Sequence, residues 1–191
     1  SGHKFHAVRG VGFVYKKAGK KITPFLTGGG QEKDLRSTTE NVAGIASMAK
    51  ALRLVTDKEE FSLPKIAKMK KIIFDELAKY EDITIFSGEG EDFAPNILTF
   101  GIKGVRGEVV VHAFEEHQIY ISTTSACSSK AGKPAGTLIS MGIPTKLAQT
   151  AVRISLDDDN DMGQVEQFLT IFKQVYACLL YTSDAADEED S

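Results

Sequence analysis

Apolar positions in the first half of the chain repeat twice at helical spacing. Val42, Ile45, Met48, Leu52 and Val55 form one set, and the S-x-x-E capping box Ser37-Thr-Thr-Glu40 ahead of them predicts a helix beginning near Thr38 or Thr39. Pro64 suits the first turn of a second helix, whose face is Ile66, Met69, Ile73, Leu77 and Tyr80, with Lys65, Lys68, Lys70 and Lys71 on a solvated side. The period then shortens. Gly12–Tyr15, Ile83–Phe86 and Asn96–Ile102 read as strands, the last alternating through Leu98, Phe100 and Ile102. Helical spacing returns over Glu108–His117 and in short pieces at Leu138–Met141 and Thr145–Gln149. Ala151–Leu156 alternates, turning Val152, Ile154 and Leu156 one way and Arg153 the other. A last helix carries Val165, Phe168, Leu169, Phe172 and Tyr176, and after Cys178 the pattern stops, so the acidic stretch 179–191 is expected to be disordered. The resulting order, β, α, α, β, β, α, β, α, β, α, is that of an α/β or α+β fold.

Composition narrows the class. A chain of 191 residues, 42% hydrophobic, can build a core of its own and holds one generous domain or one domain and part of another. No apolar run approaches the roughly 18 residues of a membrane span, and Ser-Gly-His-Lys at the start lacks the features of a secretory signal, so the expectation is a cytoplasmic protein. Two cysteines, Cys127 and Cys178, without C-x-x-C spacing, support neither a disulfide framework nor a zinc site. The net charge of −3 includes Asp184, Asp187, Glu188, Glu189 and Asp190; without those five the body is +2, too near neutral to argue for nucleic acid.

Several positions carry candidate chemistry. Cys127 lies in Ser122–Lys130, a hydroxyl-rich stretch where a nearby cation favours the thiolate over the thiol. Gly28-Gly-Gly30 invites close approach to the main chain, and the amides and hydroxyls around Ser37, Thr38 and Thr39 suit an anion. Arg153, held on a strand, can clamp a carboxylate through two donors or make an ordinary surface ion pair. Asp157-Asp-Asp-Asn-Asp161 fails as a calcium loop, because Met162 stands where glycine is needed and Phe168 where glutamate is needed; the acids better serve the start of the last helix. His112 and His117 are five apart and share no metal-binding helix face.

Three stretches, Ser1-Gly-His-Lys-Phe5, Gly28-Gly-Gly-Gln-Glu32 with Leu35-Arg-Ser-Thr-Thr-Glu-Asn-Val42, and Ser125-Ala-Cys-Ser-Ser129, stand in the order and at about the spacing of cysteine desulfurases. The chain resembles the NifS-like branch of the fold type I enzymes that use pyridoxal 5'-phosphate, from Ser1 to about Tyr176, with Ala94-Pro-Asn-Ile-Leu98 and Val152-Arg-Ile-Ser-Leu156 included. The resemblance implies that Lys4 holds the cofactor as a Schiff base, that Ser1 and His3 lie around its phosphate, and that Thr39 reaches the phosphate of a neighbouring subunit in a homodimer. It further implies that Arg153 binds the carboxylate of L-cysteine and that Cys127 takes the sulfur as a persulfide, leaving alanine. The sulfur then passes to an acceptor protein, a tRNA sulfurtransferase or an iron-sulfur scaffold, with the Ile121–Lys130 variant leaning to the former.

By the same resemblance, residues 1–46 end the large cofactor domain and 47–177 form the small C-terminal α/β domain. Members of the family are about twice this long, and the ring that stacks on the cofactor and the acid that pairs with its pyridine nitrogen belong to their N-terminal half. These residues alone are therefore expected to bind the cofactor poorly and turn over little cysteine. The stretch 178–191 departs from the family's final helix and resembles translated read-through. Two alternatives remain at this level: a selenocysteine lyase or other class V relative with a similar lysine and arginine, and a non-catalytic persulfide carrier that uses Cys127 without cofactor.

Overall fold

A computed structural model describes residues 1–90, 92–123 and 136–189, with side chains as far as Leu180. The chain divides into two compact units, Ser1–Phe61 and Ser62–Ser191. The second contains an antiparallel sheet of β1 (Ile83–Ile85), β2 (Ile97–Ile102), β3 (Ser122–Thr123) and β4 (Ala151–Ser155), in the spatial order β1-β2-β4-β3. Its helices are the later part of α1 (Val42–Leu77), then α2 (Gly107–Glu115), α3 (Gly136–Ser140), α4 (Thr145–Ala148) and α5 (Met162–Glu189).

The alternation in β2 and β4 decides the layering. Leu98 pairs with Ile154 and Phe100 with Val152, and all four are buried on one face of the sheet. Against that face pack Ile66, Met69, Ile73 and Leu77 of α1, Val110 and Phe114 of α2, and Val165, Phe168, Phe172, Val175 and Leu179 of α5. Each such side chain contributes about 1.5–3 kcal/mol by leaving water. Phe114 stacks on Phe168 with ring centroids 5.3 Å apart, joining α2 to α5. On the other face Ala151 lies with Leu138 of α3 and Ala148 of α4 in a smaller cluster.

The acids before α5 act as expected. The Asp161 carboxylate accepts a hydrogen bond from the Gln164 amide at 2.9 Å, and the Gln164 side-chain oxygen accepts one from the Asp161 amide at 3.2 Å, a reciprocal cap. The helix runs beyond the end predicted near Cys178. Leu179 is buried and Leu180 packs against the core, so the apolar stripe continues by another turn, and the backbone is helical to Glu189 where disorder was expected.

Three other expectations are corrected. Gly12–Tyr15 is not a strand: Phe13, Val14 and Tyr15 are exposed, and none of the described strands pairs with them, so their amides and carbonyls lack the ladder that defines a strand. Ser37 does not cap a helix. The cap is Asn41, whose side-chain oxygen accepts from the Gly44 amide at 3.0 Å, while its carbonyl accepts from Ile45 at 2.8 Å, so α1 starts at Val42. Nor are there two helices before β1; a single helix of 36 residues carries Pro64 inside it. Among the described residues no helix is long and apolar enough to cross a membrane.

Candidate functional site

In the first unit a tight turn presents Lys4. Gly2–Phe5 is one turn of 3-10 helix, in which the Lys4 amide donates to the Ser1 carbonyl at 3.3 Å. The Ala7 amide returns to the Gly2 carbonyl at 3.1 Å, with His6 in the left-handed region at φ 69°, and the Gly2 amide donates to Val11 at 2.8 Å. Gly2 is required by space: a Cβ there would stand 3.0 Å from that of Ala7 and 3.1 Å from the Val11 oxygen. With Gly2 and Ala7 buried, the turn leaves Ser1, His3 and Lys4 exposed together: a hydroxyl, an imidazole and an amine. The chain leaving the turn is tied to α1 by the Val8 amide, 3.4 Å from the Ser47 hydroxyl.

Thr39 lies in the same unit, exposed, two residues ahead of the Asn41 cap, so the helix amides expected around Thr38 and Thr39 are displaced to the turn that follows Asn41. The glycine run does admit close approach. Its visitor is the Gln31 amide, which a Cβ on Gly29 would meet at 2.9 Å, and the Gln31 Oε1 is buried without a hydrogen-bond partner among the described residues. Glu32, Lys33 and Asp34 follow with φ of 50°, 56° and 64°, a left-handed run that costs about 1–2 kcal/mol per residue. The loop is closed by the Ser37 amide donating to the Leu26 carbonyl at 3.0 Å.

Arg153 belongs to the second unit. It sits in β4 between Thr99 of β2 and Ser122 of β3, so three polar side chains form a row across three strands. The row is on the face away from Leu98, Phe100 and Val152. Arg153 is half-buried, its Nε is buried, and among the described residues it has neither a hydrogen-bond partner at Nε nor an ion pair. A buried Nε–H without an acceptor is costly unless one completes it. A guanidinium fork of this kind can hold a carboxylate through two donors.

Cys127, with Lys130, lies outside the described residues. What the structure fixes is its approach: β3 ends at Thr123, beside Val152. Cys127 is four residues on from Thr123, and a chain of four steps spans no more than about 14 Å between Cα atoms.

One residue was misread from the sequence. Lys70, expected on a wet face, is buried, and its ammonium donates to the carbonyls of Gly88 at 3.1 Å and Ala94 at 2.9 Å. Burial lowers its pKa, with Glu89 opposing. The available signal was its place four residues after Ile66, on the apolar face. Lys70 thereby fastens the loop that leads into β2, beside a cleft of about 650 Å³ that, among the described residues, none of the expected site residues lines. His112 is exposed and faces Glu115 at 3.0 Å, as suits a surface histidine.

Residues 1–168 match the family model described as aminotransferase class-V. The chain is 47% identical over 176 residues to a NifS/IcsS protein homolog of Lactobacillus delbrueckii subsp. bulgaricus, covering 92% of this chain and 46% of that protein. It is 33% identical over 156 residues to the cysteine desulfurase IscS of Dictyoglomus turgidum, covering 82% and 40%. Among solved structures, a NifS-like protein superposes with a TM-score of 0.76 at 30% identity, over 95% of this chain and 45% of that one. A NifS-like protein from Rickettsia africae gives 0.70 at 31% identity, over 83% and 41%. The chain spans about half the length of the curated relatives it matches.

Proposed function

Because the chain belongs to the aminotransferase class-V family, we propose that it forms the C-terminal half of a pyridoxal-phosphate-dependent cysteine desulfurase, which takes sulfur from L-cysteine and leaves L-alanine. The observation that carries this reading is Arg153, whose buried Nε has no acceptor among the described residues, one strand from the chain that leads to Cys127.

The residues present suit the cofactor. An exposed amine at Lys4 can engage its aldehyde carbon, and the Ser1 hydroxyl and His3 imidazole on the same turn, with Thr39, can hold its phosphate. When bound, pyridoxal phosphate supplies a sink for the charge that develops at the substrate Cα. Lys4, once its amine is free, moves the proton at that carbon. Arg153 fixes the substrate carboxylate and thereby its orientation. Cys127, as thiolate, forms the new S–S bond while the substrate C–S bond breaks, and so carries the persulfide. A thiol tethered within about 14 Å of Thr123 has the reach to collect sulfur in the site and the freedom to deliver it outside.

In this reading residues 1–46 close the large cofactor domain and 47–177 form the small one, with the dividing point of the two compact units, at Phe61, falling inside α1. Thr39 reaches across a homodimer. The acceptor is a protein of tRNA thiolation or iron-sulfur assembly, and the setting is the cytoplasm.

The test uses the full-length enzyme that carries this chain. Arg153→Ala is expected to lower kcat/KM for L-cysteine by about 30-fold or more, the cost of leaving a carboxylate without its charged partner. Cys127→Ser is expected to abolish persulfide while the absorbance of bound cofactor persists. Cysteine-dependent persulfide on Cys127 in a Lys4→Ala variant overturns the assignment.

A further inference from the structure

Among the described residues the buried polar side chains are those of Lys70, Thr99 and Thr150. The fold itself satisfies two of them. Lys70 donates to the carbonyls of Gly88 and Ala94, and the Thr150 hydroxyl donates to the Leu147 carbonyl at 2.8 Å. The Thr99 hydroxyl has no hydrogen-bond partner among the described residues, and a hydroxyl taken out of water without one is costly. Its main chain, by contrast, is fully engaged. The Thr99 amide donates to the Ser87 hydroxyl at 2.8 Å, and its carbonyl accepts from the Phe86 and Ser87 amides at 2.8 and 3.3 Å, so two residues oppose one just past β1, the pattern of a β-bulge. β2 also lies inside the sheet, between β1 and β4, and a β-branched side chain has few rotamers open to it. The hydroxyl is therefore held in place before anything binds to it.

Directly opposite Thr99, on the same face of the sheet, stands Arg153, and the Cβ atoms of such a pair are roughly 5 Å apart. Two donors without acceptors among the described residues, the Thr99 O–H and the Arg153 Nε–H, thus lie side by side, turned away from the apolar core. They cannot fully satisfy each other: if the Thr99 oxygen accepts from Nε, its own proton still needs an acceptor. A carboxylate, which only accepts and has about four lone-pair sites, meets both. We infer that Thr99 is a further substrate-binding residue, whose hydroxyl donates to the carboxylate of L-cysteine beside the Arg153 guanidinium. Ser122, on the other flank of Arg153, stands in a two-residue edge strand and has no comparable frame. The inference rests on the desulfurase reading and gives its carboxylate site a second, neutral donor, so the site selects amines that carry a carboxylate over those that do not.

The test uses the full-length enzyme with its cofactor, as parent, Thr99→Val, Thr99→Ser and Arg153→Ala. Valine keeps the branched shape and removes the hydroxyl; serine keeps the hydroxyl. Dissociation constants for L-alanine, the product, and for ethylamine, the same amine without its carboxylate, are read from the absorbance of the bound cofactor. Thr99→Val is expected to weaken L-alanine about tenfold, to leave ethylamine within about twofold, and to raise KM for L-cysteine by a similar factor with kcat within about twofold. Thr99→Ser is expected to recover the parent values to within about threefold. Without ligand, Thr99→Val is expected to melt no lower than the parent, because no hydrogen bond inside the protein is lost. A lower melting temperature that serine restores means that the hydroxyl serves the fold, and overturns the inference; so does an equal loss of L-alanine and ethylamine binding. If L-alanine binding responds to Arg153→Ala and not to Thr99→Val, this inference falls and the desulfurase reading stands. If it responds to neither, the carboxylate site of that reading falls with it.

Discussion

The carboxylate of Glu76 joins α1 to α5, accepting from Lys79 at 2.6 Å in the turn that follows its helix and facing Lys173 at 3.2 Å across the packing interface. Its side chain is 12% exposed, but the two lysines are 66% and 57% exposed, so solvent screens both pairs. The hydrogen bond from Lys79 holds the Glu76 carboxyl below the usual glutamate range; burial opposes this and Lys173 reinforces it. Since the folded-state value is the lower one, the native state binds fewer protons than the unfolded state between the two, and the stabilisation is present at neutral pH and lost as pH falls through the lowered value. Glu76→Gln is expected to cost about 0.5–1.5 kcal/mol at pH 7 and less near pH 3. Urea unfolding of both proteins at the two pH values measures this, and a cost that persists in acid would mean that Glu76 acts through packing.

At the scale of elements, Pro64 gives the sharpest contrast. Its ring nitrogen has no hydrogen to give the Glu60 carbonyl, and a proline inside a helix costs about 3 kcal/mol relative to alanine. Within the continuous α1, Pro64→Ala is expected to stabilise the protein by about 1–3 kcal/mol in thermal or urea unfolding; at the first turn of a separate helix the same change would be neutral or unfavourable. The sequence could not separate these cases, because proline in the first turn and proline in the interior leave the same spacing of Ile66, Met69, Ile73 and Leu77 on the face that follows. What was legible was local: the two-residue period that buries Val152 and Ile154 and turns Arg153 away, and the acids that cap α5. What was not legible depends on partners distant in sequence. Gly12–Tyr15 has strand composition but no strand beside it, Lys70 is buried by a loop 18 to 24 residues further on, and Ser37 lost the cap to Asn41, whose side chain reaches Gly44. The candidate site was legible as residue types, an amine, an arginine and a thiol; the row Thr99, Arg153, Ser122 needed the strand order.

For the whole molecule the decisive quantity is where apolar side chains are buried. Every member of both core clusters lies between Ile66 and Leu179 or packs from within the same unit, whereas the buried hydrophobic residues of Ser1–Phe61 are Ala7 and Ala51 alone. In that first unit Val14 is 82% exposed, Tyr15 83% and Phe25 95%. Two alanines cannot offset the conformational entropy of some sixty residues, at about 1–2 kcal/mol each for the backbone alone, so the unit that presents Lys4 is held together by turns and α1 and not by a core. Hydrogen exchange on this chain is expected to leave amides of β2, β4 and the core-facing turns of α5 protected, and those of residues 12–40 exchanging near the rate of an open chain. Limited proteolysis should cut first in the same stretch and spare a fragment beginning near Val42. The Lys4 turn depends on that unit for its shape, so added pyridoxal phosphate is expected to give no stable visible absorbance band with this chain and a clear one with the full-length enzyme, where further chain can cover Tyr15 and Phe25. Protection of residues 12–40 equal to that of β4 in this chain would show that the first unit is stable as it stands and remove the reason for expecting weak binding.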